Sequence, residues 1–262
     1  MDNLTMKTQM HANHQMSTYP TLNNQSGHGA DEDTTLAAHF DAFMSEVVGD
    51  DSAHDISHLR RVASTAMVIG AAEGANLRIL TAAAYFHDLV NLPKNHPTRH
   101  EASSLSAARA LEILPVQFPQ FPREYYQAVA HAIEAHSFSA AIVPKTIEAK
   151  VLQDADRLEA LGAIGIARVF YIAGKLGQAL FDGADPLAKD RPLDDKHYAV
   201  DHFRVKLLRL HETMQTNTGR KLARQNSDYL IQFLAKLSNE CKGQMTGLDQ
   251  GILQFLDMGV AP

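Results

Sequence analysis

The chain has 262 residues, of which 45% are hydrophobic and 21% are charged, and its formal net charge is −6. These values are typical of a soluble globular protein and exclude a collagen-like, coiled-coil or wholly disordered chain. No apolar run approaches the roughly 20 residues that span a bilayer, and residues 1–15 lack the apolar segment of a secretory signal. We therefore expect a cytoplasmic protein that does not contact a membrane.

The composition also limits the chemistry that the chain can support. A single cysteine, Cys241, excludes an intrachain disulfide and any CxxC-type zinc or iron–sulfur site, so a metal would need histidine and carboxylate ligands. A net negative charge is a poor match for a nucleic-acid backbone, and we expect no nucleic-acid polymer as a partner. The chain has 14 histidines, and most of those beyond residue 33 fall in clusters.

Helical periodicity dominates the chain from about residue 34 onward. Residues 1–33 are rich in Asn, Gln, Ser, His and Met and are predicted to be a disordered extension. Thr34 and Thr35 are expected to cap a first helix that runs to about residue 48. The further predicted helices lie around 62–70 and at 76–90, 100–114, 123–138, 145–161 (capped by Thr146), 162–181, about 196–216 and about 218–238.

Three stretches that contain proline, 91–98, 115–122 and 182–195, are predicted to be loops or breaks. No segment alternates in the way that a β-strand requires. The sequence therefore predicts an all-α protein with one helical domain over 34–240. The tail over 241–262 is expected to hold a short helix.

Three segments place titratable side chains on or beside apolar helices. His58 lies in an amphipathic segment, and the adjacent pair His87-Asp88 ends a strongly apolar one, where burial without partners would be costly. Asp154 and Asp156 lie about 200° apart on a helix, so only one of them can face a given point. Each segment alone also fits an ordinary structural role, such as a capping His–Asp pair or an exposed carboxylate.

Taken together, the order of these residues resembles the HD-domain superfamily of metal-dependent phosphohydrolases. The resemblance covers about residues 35–235 and lies in the segments HLRRV (58–62), YFHD (85–88) and ADRL (155–158). The stretch DADRLEALGAIGIAR (154–168) is similar to a segment of uncharacterised HD-domain hydrolases. The resemblance implies a single HD-type helical bundle.

The resemblance further implies that His58, His87, Asp88 and Asp156 ligate a divalent metal. The choice of Asp156 rests on the family's Ala-Asp pair, because periodicity leaves Asp154 equally open. Neutral imidazoles and carboxylates suit Mn²⁺, Mg²⁺, Fe, Zn²⁺, and also Ni or Co, so the identity of the ion stays open.

Two more histidines bear on whether one or two ions bind. His100 and His136 are candidate ligands of a second metal, because histidines in comparable places bind one in binuclear relatives. Each could equally be a surface or supporting histidine. His131 is five residues from His136 and need not share its face of the helix.

The implied chemistry is attack on phosphorus or carbon by a metal-bound water, since a divalent ion lowers the pKa of its water toward neutrality. Asp88 would be a ligand that also bridges ions or accepts a proton. Arg61 and Lys94 would supply catalytic counter-charge to a phosphate, and Arg168 and His96 would contact the substrate.

We therefore expect a divalent-metal-dependent phosphohydrolase that acts on a small phosphorylated metabolite or nucleotide. Two alternatives stay open: a di-iron HD-type oxygenase, and a non-catalytic metal- or ligand-binding module. The chain has no P-loop, no GxSxG elbow and no HExxH motif that would favour another enzyme class. The amphipathic helices over 196–238 could complete the core or form a homodimer face.

Overall fold

The computed structural model describes residues 29–47, 56–92 and 96–258. Within these residues every regular element is helical, and extended backbone pairs only in an isolated bridge between Ala179 and Tyr198. The prediction of an all-α fold is therefore confirmed. In the same part of the chain, no helix has both the length and the apolar character needed to cross a membrane.

The helices follow one another with short connections. The α-helices of the described residues are α1 (Gly29–Val47), α2 (Ile56–Glu73), α3 (Leu77–Phe86), α4 (Ala102–Gln117), α5 (Tyr126–His136), α6 (Ile147–Leu158), α7 (Gly162–Leu176), α8 (Asp201–Val205), α9 (Asn217–Cys241) and α10 (Gln250–Met258). Short 3-10 helices cover Arg99–Glu101, Arg123–Tyr125 and Leu207–Thr213.

Side-chain caps fix where two of the central helices begin. Asn76 accepts hydrogen bonds from the backbone N–H groups of Arg78 and Ile79 at the start of α3. Thr146 accepts one from the backbone N–H of Ala149 at the start of α6, as the sequence predicted. Such caps satisfy backbone donors that a first helical turn leaves without partners.

Helices α2, α3, α5 and α6 pack against one another and form the centre of the bundle. Helix α1 lies on α3, where the ring of Phe40 is 5.1 Å from the ring of Phe86. Gly70 lets α2 and α3 approach closely, because a Cβ there would collide with the side chain of Leu80.

Several predicted helix boundaries are wrong, and the helix predicted over 76–90 ends already at Phe86. Helix α1 begins at Gly29, so Thr34 and Thr35 lie inside it rather than at its cap. Helix α4 continues through Pro115 to Gln117, because a proline in the last turn removes only one backbone donor. Helix α7 ends at Leu176, where the next residue, Gly177, adopts a left-handed conformation that glycine accommodates easily.

The predicted helix over 196–216 is also wrong, because the chain folds there into α8 and a 3-10 helix. The buried carboxylate of Asp201 accepts hydrogen bonds from both terminal nitrogens of Arg191 and from the backbone N–H of Asp194. These bonds tie the preceding loop to the first residue of α8. The helix therefore cannot extend back across 196–200.

Candidate metal centre

Five titratable side chains meet where the central helices end. His58 lies in the first turn of α2, and His87 and Asp88 follow the last residue of α3. His136 is the last residue of α5, and Asp156 lies in the last turn of α6. The three histidines are buried, whereas the two aspartates are partly exposed, so the cluster is open to solvent on its carboxylate side.

The four residues that the resemblance implied as metal ligands lie within a few ångströms of one another. The Nε2 atom of His58 is 3.2 Å from Nε2 of His87 and 3.5 Å from Oδ1 of Asp156. The Nε2 atom of His87 is 3.6 Å from Oδ2 of Asp88. Ligand atoms that share one ion about 2.1 Å away are themselves separated by about 3 to 3.5 Å. The spacing therefore suits a single divalent ion.

Backbone carbonyls fix the tautomers of two of the histidines. The Nδ1 atom of His87 lies 2.7 Å from the carbonyl oxygen of Ala84, and Nδ1 of His136 lies 2.6 Å from that of Ile133. A carbonyl oxygen can only accept, so each Nδ1 carries the hydrogen and donates it. Each Nε2 then presents a lone pair to the cluster, as a metal ligand must.

His58 reaches the same state through a carboxylate. Its Nδ1 lies 3.3 Å from Oε2 of Glu159, which also can only accept when ionised. The Nε2 lone pairs of His58 and His87 therefore face each other, an arrangement that is unfavourable unless a cation lies between them. This donor set fits a bound divalent metal.

The charges of the cluster favour neutral imidazole at His87 and ionised carboxylate at Glu159. Burial and the neighbouring histidines lower the pKa of His87 to about 4, although Asp88 opposes the shift. Burial would raise the pKa of Glu159, but its bonds to His58 and Arg61 outweigh it and hold that pKa at about 2.

The two carboxylate oxygens of Asp88 face different histidines. Its Oδ2 faces His58 and His87 at 3.8 and 3.6 Å, and its Oδ1 lies 3.6 Å from Nε2 of His136. Burial disfavours the charged form of His136, but the carboxylate of Asp88 more than offsets this, and the pKa of His136 is raised. A carboxylate with its two oxygens divided in this way can bridge two ions.

The structure separates the two candidates for the second metal. His136 is part of the cluster, whereas His100 has a side chain that is 62% exposed and lies 3.9 Å from Glu101. His131, on the same helix as His136, instead accepts a hydrogen bond from the backbone N–H of Lys145. Helix α5 therefore contributes one histidine to the cluster and uses the other to hold the α5–α6 connection.

Glu159 is the residue of this region that sequence reasoning missed. Arg61 donates to its Oε2 from Nε at 2.9 Å and from Nη2 at 2.7 Å, and Nη1 of Arg168 lies 3.8 Å from the same oxygen. That Nη1 is buried and has no hydrogen-bond partner among the described residues. The spacing of three residues from Asp156 to Glu159 was the available signal, because such residues share a helix face.

The other predicted site residues lie outside the cluster or outside the described part of the chain. His96 is exposed, and its Nδ1 lies 3.3 Å from the backbone nitrogen of Thr98. Lys94 lies outside the described residues, as do residues 1–28 of the predicted disordered extension over 1–33, whereas residues 29–33 of that extension lie in α1. Arg61, predicted to supply counter-charge to a phosphate, is bonded to Glu159, and its role toward a phosphate stays a prediction.

The fold and this donor set define an all-helical protein with a histidine–aspartate centre suited to a divalent metal. The sequence model of the HD domain family matches residues 55–161, which include His58, His87, Asp88 and Asp156. YpgQ of Bacillus subtilis is 36% identical over 204 residues, which are 76% of this chain and 90% of YpgQ.

Solved structures agree with this relationship. The crystal structure of Bacillus subtilis YpgQ in complex with ADP has a TM-score of 0.61 at 33% identity and covers 79% of this chain and 96% of its own. An HD-superfamily hydrolase from Bacillus thuringiensis has a TM-score of 0.61 at 32% identity and covers 81% of this chain and 100% of its own. The chain therefore belongs to the HD-domain superfamily of hydrolases.

Proposed function

We propose that this protein is a divalent-metal-dependent phosphohydrolase that acts on a nucleotide or a small phosphorylated metabolite. The observation that carries the proposal is the set of inward-facing Nε2 atoms of His58, His87 and His136 beside two partly exposed carboxylates. Membership of a hydrolase superfamily supports hydrolysis as the reaction class.

A divalent ion at such a centre lowers the pKa of a water bound to it and stabilises the charge that develops on a phosphoryl group. His58, His87, Asp88 and Asp156 would hold this ion. Asp88 would accept a proton from a water at the cluster, because its carboxylate is partly exposed, with Oδ2 toward His58 and His87 and Oδ1 toward His136.

Arg168 supports a phosphate as the group that is recognised. Its Nη1 is a buried donor without a hydrogen-bond partner in the described structure, and leaving such a donor unsatisfied is costly. A guanidinium donates well to phosphate oxygens. The complex of YpgQ with ADP supports a nucleotide as the bearer of that phosphate, because it shows that a relative binds one.

The test is a hydrolysis assay of the purified chain with Mn²⁺ and a panel of nucleoside di- and triphosphates and phosphomonoesters. Released phosphate and pyrophosphate are measured with and without EDTA. We expect turnover that EDTA abolishes and that His87→Asn lowers at least 100-fold, whereas His131→Asn, which removes a histidine outside the cluster, leaves most of it.

Absence of turnover across the panel with Mn²⁺, Mg²⁺, Fe²⁺, Zn²⁺ and Co²⁺ would contradict the proposal. Binding of ADP without turnover would then favour the binding module. Two iron ions per chain with consumption of oxygen would favour the oxygenase.

A further inference from the structure

We infer that Glu159 is a positioning residue of the metal centre, which holds His58 in its ligating orientation and ties it to Arg61 and Arg168. The inference rests on the proposed function, because it concerns the same centre. Glu159 caps the C-terminal end of α6, and its side chain is only 9% exposed. Among the proposed ligands of the ion, Glu159 contacts His58. Glu159 would therefore affect the ion through His58.

Glu159 contacts His58 on the side of the ring that faces away from the cluster. Its Oε2 lies 3.3 Å from Nδ1 of His58, whereas Nε2 of the same ring faces His87. A carboxylate behind a ligating histidine fixes the tautomer, orients the ring and makes the ligating nitrogen more basic. His87 and His136 take the equivalent support from backbone carbonyls on their own helices, whereas His58 takes it from a side chain at the end of α6.

Glu159 is itself held in place by Arg61. This arginine contacts both carboxylate oxygens, with Nε at 3.1 Å from Oε1 and Nη2 at 2.7 Å from Oε2. Arg61 lies one turn after His58 on α2, so this paired contact holds the carboxylate against the same helix that carries the ligand. The Glu159 carboxylate cannot move away from His58 without breaking its hydrogen bonds to Arg61.

One oxygen of Glu159 connects the metal centre to the arginine that we propose for phosphate. His58, Arg61 and Arg168 all approach Oε2. The position of that oxygen therefore sets the orientation of a metal ligand, and the same oxygen lies 3.8 Å from Nη1 of Arg168. A change at Glu159 should affect metal affinity before any substrate is present.

The test is calorimetric titration of metal-free protein with Mn²⁺, for wild type, Glu159→Gln, Glu159→Asp and Glu112→Gln. Glu159→Gln keeps the shape but loses the charge, whereas Glu159→Asp keeps the charge but withdraws the carboxylate by one methylene. Glu112 also pairs with an arginine, Arg109, but on the exposed face of α4, so its variant is the matched control. We expect about tenfold or greater loss of Mn²⁺ affinity in both Glu159 variants and a change within twofold in Glu112→Gln.

Thermal unfolding of the same metal-free samples shows which variants are folded. Unchanged Mn²⁺ affinity in a folded Glu159 variant would overturn the inference, because a purely structural role lowers the melting temperature alone. If Glu159→Asp retained the Mn²⁺ affinity of the wild type, the inference would be overturned even if Glu159→Gln failed to fold. A negative charge at this position would then be enough for metal binding, without the exact position of the carboxylate. Failure of the wild type to bind Mn²⁺ would instead contradict the proposed function itself.

Discussion

Asp154 and Asp156 are two residues apart on α6, and their carboxylates serve opposite sides of that helix. Asp154 is fully buried and accepts hydrogen bonds from the backbone N–H groups of Gln215 and Thr216 and from the hydroxyl of Thr216. Asp156 lies 3.5 Å from Nε2 of His58. One carboxylate therefore anchors the start of α9, whereas the other faces the metal centre.

This division predicts that the same substitution, Asp to Asn, lowers stability at position 154 and metal affinity at position 156. Asp154→Asn places an amide N–H group among hydrogen-bond donors in a buried site, so we expect it to lower the free energy of unfolding by about 1–3 kcal/mol. Asp156→Asn removes a charge at a partly exposed position, so we expect metal-free stability to change little and Mn²⁺ affinity to fall at least tenfold. Urea denaturation with EDTA and Mn²⁺ titration measure the two effects. The assignment is wrong if Asp154→Asn weakens Mn²⁺ binding more than Asp156→Asn does.

The position of His136 predicts how metal binding depends on pH. Asp88 raises the pKa of His136, so an ion that binds at its Nε2 competes with a proton there, whereas the pKa of His87 is low enough for that ring to stay neutral. We expect the Mn²⁺ affinity of the wild type to fall as the pH is lowered from 8 to 6. His136→Gln should bind Mn²⁺ more weakly at pH 8 and should show a flatter dependence over this range.

His100→Gln is the comparison variant for this experiment, because the exposed side chain of His100 lies outside the cluster. It should match the wild type in affinity, stoichiometry and pH dependence. An equal loss in the His100 and His136 variants would mean that both histidines bind metal, against the separation of these two side chains in the structure.

Arg168 should affect the substrate rather than the metal. Arg168→Met removes the buried donor that we propose for phosphate, so we expect a 10–100-fold lower affinity for ADP, as for the loss of one charge-assisted hydrogen bond. The Mn²⁺ affinity should stay within twofold. Arg209→Met, at an exposed pair with Glu212, is the control. Unchanged ADP binding by Arg168→Met in the presence of Mn²⁺ would remove Arg168 from the substrate site.

The low pKa of Glu159 predicts a pH dependence of stability. The pKa of about 2 in the folded protein lies below the ordinary value of 4.5, so ionised Glu159 stabilises the folded state. The contribution is complete above about pH 5, is at most about 3 kcal/mol, and is lost as the pH falls from 4.5 toward 2. Urea denaturation of wild type and Glu159→Gln with EDTA should give a difference that shrinks below pH 4.5. A difference that grows as the pH falls would refute this.

The helical pattern of the sequence was sufficient for the fold class, and the resemblance to the HD-domain superfamily indicated four of the residues that meet at the centre: His58, His87, Asp88 and Asp156. Apolar periodicity located the central helices, and the adjacent pair His87-Asp88 at the end of α3 marked the point of convergence. Periodicity could not choose between Asp154 and Asp156, because both faces of α6 pack against other helices. That choice depends on the loop before α9, which a local pattern does not reveal.

Contacts between distant segments account for what the sequence could not provide. Glu159 and His58 are 101 residues apart, and nothing in the local pattern of α2 indicates which carboxylate lies behind the ring. The break before α8 depends in the same way on Asp201 and Arg191, which look like ordinary surface charges in the sequence. Sequence patterns predict helix faces well, but they do not show which partners buried charges find.

The most direct test of the central claim is the metal content per chain of wild type and Asp88→Ala, measured by elemental analysis after incubation with Mn²⁺ and gel filtration. The carboxylate of Asp88 faces His58 and His87 with one oxygen and His136 with the other, so its loss removes a ligand from both sides of the cluster. We predict one or two equivalents of divalent metal in the wild type and almost none in the variant. A wild type without metal, or a variant that retains the full amount, would contradict a metal centre built on these residues.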